Sequence, residues 1–168
     1  MAGYSGTPLI RKIGIKTGHR IYLHAHAESF FRDLGELPEA VVVQHRLAAD
    51  TDVIVCFVER VAELDKQFSP LAGKLAQDGM LWIAWPKRAS GRPTDLTEDV
   101  VRGIGLDAGL VDVKVCAIDE VWSGLKFVIR LQDRVKGAKP KSGPPATARG
   151  ETVGFPARGL EMKSLKEQ

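Results

Sequence analysis

The sequence predicts an α/β domain built on a doubly wound, mostly parallel sheet that ends in an antiparallel hairpin. Three observations carry this expectation. Short apolar runs alternate with stretches whose apolar residues recur every three or four positions, the pattern of strands laid against helices. The run Val53-Ile54-Val55-Cys56-Phe57-Val58 is unbroken and rich in β-branched residues, which suits a strand buried on both faces. The last two strand-like runs, 111–118 and 125–131, follow one another with no helical segment between them, so they pair in opposite directions.

The elements follow in order. Residues 9–13 read as a short helix after Thr7-Pro8, stopped by Gly14. A strand follows at 19–24, then a short helix at 28–34 closed by Gly35 and a second strand beginning Val41-Val42-Val43. After the central run at 53–58, residues 59–76 form the longest helical pattern, with Val61, Leu64, Phe68, Leu71 and Leu75 on one stripe. Gln77-Asp78-Gly79 ends it, and residues 80–85 make another core strand. Asp95 and Glu98 have capping-box spacing and open a helix that runs to about Ala108-Gly109. The closing hairpin turns through Asp119-Glu120-Val121-Trp122-Ser123-Gly124.

Beyond residue 131 the apolar periodicity stops. The segment Lys136-Gly137-Ala138-Lys139-Pro140-Lys141-Ser142-Gly143-Pro144-Pro145 has linker composition, so the expected organisation is an α/β domain at 1–131 and a basic, Pro/Gly-rich flexible tail at 132–168. The tail holds eight Lys/Arg and four Asp/Glu, the domain sixteen and seventeen, which divides the net +3 into +4 and −1. Such a tail can attract an acidic surface or nucleic acid, although its only aromatic residue is Phe155, and nucleic-acid binding ranks last among the readings.

At 168 residues, 44% hydrophobic and 27% charged, the chain is long enough for a core and too polar to span a bilayer. No basic segment leads into an apolar run near the N-terminus, so the expected location is the cytoplasm, without membrane association. Cys56 and Cys116 sit inside apolar runs and read as buried, reduced thiols.

Several stretches resemble a known family. Asp52-Val53-Ile54-Val55 resembles the fourth strand of class I S-adenosylmethionine-dependent methyltransferases. Leu75-Ala76-Gln77-Asp78-Gly79-Met80-Leu81 is similar to the turn into their fifth strand, and Ala108-Gly109-Leu110 to the entry of their sixth. The resemblance implies a shortened methyltransferase-like Rossmann fold, with S-adenosylmethionine as the cofactor it would bring. The segments Gly3-Tyr4-Ser5-Gly6-Thr7-Pro8-Leu9, Trp85-Pro86-Lys87 and Asp95-Leu96-Thr97-Glu98-Asp99 resemble a family of small, uncharacterised bacterial proteins defined only as a domain of unknown function. That likeness implies no activity.

The chain departs from the methyltransferase pattern at three places. The turn after the first strand, Ala25-His26-Ala27-Glu28-Ser29, lacks the glycines that let backbone approach a cofactor. The second strand continues Gln44-His45-Arg46 instead of ending in the acid that holds ribose hydroxyls, and residues 44–51 leave no room for the helix and third strand that normally follow.

A ligand on this fold sits outside the carboxyl ends of the parallel strands. There the sequence offers His24, His26 and Glu28 from one loop and Lys87, Arg88, Ser90, Gly91, Arg92, Thr94 and Asp95 from another. His24 and His26 alternate and could share a metal, but no third ligand is evident, so no metal is expected; His26 is the better proton-transfer group. Trp82 and Trp85 fall on opposite faces of one strand, Trp82 in the core and Trp85 at a pocket rim, while Trp122 caps the sheet edge or meets a partner or ligand. The candidate ligand-binding residues are His26, Trp85, Lys87, Ser90, Thr94 and Trp122; no catalytic residue is identified. The expected function is a non-catalytic domain that binds a small anionic ligand or a protein partner. The alternative is an S-adenosylmethionine-dependent methyltransferase with an atypical cofactor loop.

Overall fold

Six strands form one sheet in the spatial order β2-β1-β3-β4-β6-β5. They are β1 (Arg20–His24), β2 (Val42–Gln44), β3 (Thr51–Phe57), β4 (Leu75–Pro86), β5 (Leu110–Ala117) and β6 (Trp122–Ile129). The structure, a computed structural model, describes residues 7–25 and 28–134. The chain divides after Arg134, and the expected tail lies, from residue 135 onward, outside the described residues, as do Tyr4-Ser5 and His26.

The first four strands in space run parallel, and β6 lies antiparallel to both β4 and β5. The alternation of strand and helix and the closing hairpin thus produce the sheet the sequence predicts. Between β2 and β3 stand only residues 45–50, six in number. Fully extended they span about 20 Å. That is enough to step back beneath a three-residue strand and across one neighbour about 5 Å away on either side, and too little for a helix and another strand.

Helices cover both faces. On one, α3 (Val61–Gly73) and α4 (Glu98–Asp107) bury Leu64, Phe68, Leu71 and Val101 against Ile54, Cys56, Leu81, Ile83, Leu125 and Phe127. On the other, α1 (Leu9–Ile13) and α2 (Glu28–Leu34) bring Ile13, Phe30 and Leu34 onto Ile21, Val53, Val55, Phe57, Trp82 and Ala84. Period-two alternation along β3 and β4 feeds both cores, which is why neither strand has a polar side. Trp82 is fully buried and its Nε1–H donates to the Ile13 carbonyl at 2.9 Å, tying α1 to the sheet.

Two helix boundaries differ from expectation. The 59–76 helix ends at Gly73, and Leu75, although in step with Leu71, opens β4 by pairing with Thr51. The ladder then jumps, with Val53 opposite Met80, so residues 76–79 bulge against Asp52. Gly79 permits this: a Cβ there would stand 2.9 Å from the Asp52 carbonyl oxygen. The second difference is at α4, which is capped by Thr97, whose Oγ1 accepts from Val100 N–H at 3.2 Å, rather than by Asp95. Asp95 Oδ1 instead accepts from Val61 N–H at 2.8 Å, capping α3 from across the loop.

Candidate functional site

A cleft of about 690 Å³ opens at the carboxyl end of β4. Its floor is Trp85 and Pro86, with Ser123 beside them because the β4–β6 register sets Trp85 opposite Ser123. Its walls are Lys87 and Arg88, residues 91–97 and the first residue of α4, Glu98. Trp85 is 5% exposed, so its ring is chiefly core, with only an edge toward the cleft.

The charges lining the cleft are not equivalent. Arg92 pairs with Glu59, and its guanidinium carbon lies 5.4 Å from the centre of the Trp122 ring. Asp95 accepts from the first amide of α3, and Glu98 pairs with Arg102 at 2.6 Å. Arg102 also reaches Asp112 at 3.0 Å, which holds the Asp112 carboxyl below its usual range, and the hydrogen bonds to Glu98 and then Asp112 raise Arg102 itself. Both acids of the cleft therefore have partners, as does one of its three cations. Lys87 and Arg88 have no carboxylate partner among the described residues.

The other expected residues play quieter parts. Ser90 closes the turn Arg88–Ser90: its hydroxyl donates to the Lys87 carbonyl at 2.6 Å and accepts from Arg92 N–H at 3.1 Å, and it does not line the cleft. Thr94 does line it, but its hydroxyl donates to the Glu59 carbonyl at 2.6 Å and accepts from Leu96 N–H at 3.1 Å. Trp122 is the first residue of β6 rather than a turn residue, 8% exposed, and stacks edge-on to Phe57 at 5.1 Å. It belongs to the face opposite Trp85 and reaches the cleft only through Arg92.

Ser123, Glu59 and Glu98 were not among the expected site residues. Ser123 was legible in principle from the hairpin register. Glu59 was not, because its links to Arg92 and Thr94 span 33 and 35 positions.

Around the switch point between β1 and β3, where the strand order reverses, Ala25 has φ 56°, a left-handed conformation that normally favours glycine. At the end of β2, the Gln44 amide donates to Thr51 Oγ1 at 3.3 Å and to the Arg46 carbonyl at 3.4 Å, where a cofactor ribose would need a carboxylate. Gln44 therefore does not supply, at the end of β2, the carboxylate that the family uses there. Among the described residues no three His, Cys, Asp or Glu side chains cluster as metal ligands, and no helix is long and apolar enough to cross a membrane.

Several solved structures similar in fold to this chain are methyltransferases. A putative type 11 methyltransferase from Sulfolobus solfataricus matches with a TM-score of 0.53 over 80% of this chain and 94% of that one, at 12% identity. The methyltransferase-like Rossmann fold is thereby shown. This methyltransferase-like domain also matches an S-adenosylmethionine-dependent methyltransferase from Aquifex aeolicus (TM-score 0.51, 15% identity, 73% and 88% of the two chains). A third match is magnesium protoporphyrin IX methyltransferase from Synechocystis PCC 6803 with bound S-adenosylmethionine (0.51, 13%, 73% and 74%). At such identities the likeness is one of fold. No protein-family model and no curated protein matches the sequence.

Proposed function

We propose that this methyltransferase-like domain is a non-catalytic binding module that takes a small anionic ligand in the cleft beside β4. One observation supports the reading: Lys87 and Arg88 line a cleft whose two acids are engaged elsewhere, Asp95 by the Val61 amide and Glu98 by Arg102, and neither cation has a carboxylate partner among the described residues. Lysine and arginine hold phosphate or carboxylate through charge-assisted bonds of about 1.5–3 kcal/mol each. Thr94 and Ser90 act by fixing the loop that carries these cations. Calorimetry with inorganic phosphate and with citrate tests the proposal. The expected result is millimolar or tighter binding of at least one anion, weakened tenfold or more in a Lys87→Gln/Arg88→Gln variant. Equal affinity in that variant, or no heat at 10-fold higher anion concentrations (on the order of 10 mM), overturns it.

A second reading, a methyltransferase with an atypical cofactor loop, is favoured by Ala25, whose backbone keeps a turn that glycine would adopt. Micromolar binding of S-adenosylmethionine supports that reading, and silence up to about millimolar concentration retires it.

A further inference from the structure

On the face of the sheet that carries Trp82, the hairpin places lysines where an apolar core would continue. Lys126 of β6 stands directly opposite Trp82 of β4 on one side and Lys114 of β5 on the other, so all three share a face. Helix α4 packs on β5 and β6 from the opposite face. Lys126 is half-buried and Lys114 exposed. Two like charges set directly across a strand pair repel, and no carboxylate pairs with either among the described residues.

A third lysine joins them from a different segment. Lys16 follows α1, which docks on this face through the Ile13 carbonyl and Trp82. Burial, together with the charges of Lys114 and Lys16, pushes the Lys126 ammonium below the usual lysine range. Lys12, four residues before Lys16, donates to the Ala117 carbonyl at 3.2 Å and adds positive charge beside Cys116, as Lys114 does. Two strands thus set like charges side by side, and Lys16 from a third segment lies near enough for its charge to act on Lys126.

We propose that Lys16, Lys114 and Lys126 form a binding site for a compact, multiply charged phosphate-type anion, separate from the cleft beside β4. Lysine ammoniums on flexible stems act as point charges that suit phosphoryl oxygens without fixed geometry. A pair of lysines directly across one strand pairing, with Lys16 within electrostatic reach, matches a compact ion better than an extended polyanion.

The test is titration of the full chain with sodium tripolyphosphate, read by calorimetry and by the side-chain NMR signals of Lys114 and Lys126. Binding is expected, with both signals moving. Lys114→Gln/Lys126→Gln, made in the Lys87→Gln/Arg88→Gln background so that the cleft beside β4 takes no part, should weaken it at least tenfold, and in an otherwise wild-type chain should leave citrate binding in the cleft unchanged. Lys16→Gln, on an exposed position, gives the same test in a variant whose folding is not in question. No binding to the wild-type chain overturns the proposal, as does binding that survives both lysine variants or that moves neither lysine signal. A single-stranded oligonucleotide that binds more tightly than tripolyphosphate, charge for charge, would point to an extended polyanion and overturn the compact-ion assignment.

Discussion

Adding one methyl group to each of two glycines in α4 is expected to move stability in opposite directions. Gly103→Ala meets nothing within 4 Å, so it should gain the ordinary helix-propensity difference of about 0.5–1 kcal/mol. Gly105→Ala has the same gain, but its Cβ would stand 2.1 Å from Phe127 Cε1, 2.4 Å from Cζ and 2.7 Å from Cδ1. Carbon pairs normally rest at about 3.5–4.0 Å, so ring or helix must shift by roughly 1.5 Å. The ring has little freedom: Phe127 is fully buried and meets Phe68 edge-on at 5.4 Å. Overpacking of this kind costs about 1–3 kcal/mol, and this contact belongs at the upper end. The net expectation for Gly105→Ala is a loss of about 2 kcal/mol, and the gap between the two variants is about 2–3 kcal/mol. Urea unfolding at constant m-value reads both midpoints. A Gly105→Ala protein at or above the wild-type midpoint would refute the close packing of α4 on β6, and with it the placement of Thr97 and Glu98 at the cleft wall.

Other substitutions test the remaining contacts. Trp82→Phe removes the donor to the Ile13 carbonyl and leaves a small void, so a loss of about 2–4 kcal/mol is expected in denaturant titration; a change under about 0.5 kcal/mol would mean that α1 is not tied to the sheet there. Cys56 is fully buried, and burial, with Glu63 nearby, pushes its thiol up to about 12, so a disulfide reagent near pH 8 should modify the half-buried Cys116 first and Cys56 only as the protein unfolds. Rapid modification of Cys56 in native buffer contradicts that placement. Lys126, with a folded pKa below its ordinary 10.5, destabilises the fold while protonated and ceases to do so as pH rises from its folded pKa toward 10.5. Lys126→Met should therefore be more stable than wild type at neutral pH, with the advantage shrinking across that alkaline window. A stability difference flat with pH would refute the crowding of Lys126.

The division between what could be read from the chain and what required its folding runs through particular residues. Apolar period and turn residues determined the α/β class, the closing hairpin, the missing third strand after Gln44 and the core position of Trp82, because each depends on neighbours within a few positions. The end of α3 was not legible: Leu75 continues the helical stripe, and only its pairing with Thr51, 24 positions away, makes it a strand residue. The same holds for the cleft. Lys87 and Arg88 are cations in any reading, but that they, and not Arg92, lack a carboxylate partner among the described residues depends on Glu59 reaching Arg92, while Val61 engages Asp95 and Arg102 engages Glu98. Sequence by itself determined which segments are apolar and how they alternate. Tertiary structure decided which groups of the cleft are engaged and, among the described residues, which cations keep no carboxylate partner, because contact depends on separation in space, and Glu59 lies 33 positions from Arg92 and Val61 34 from Asp95.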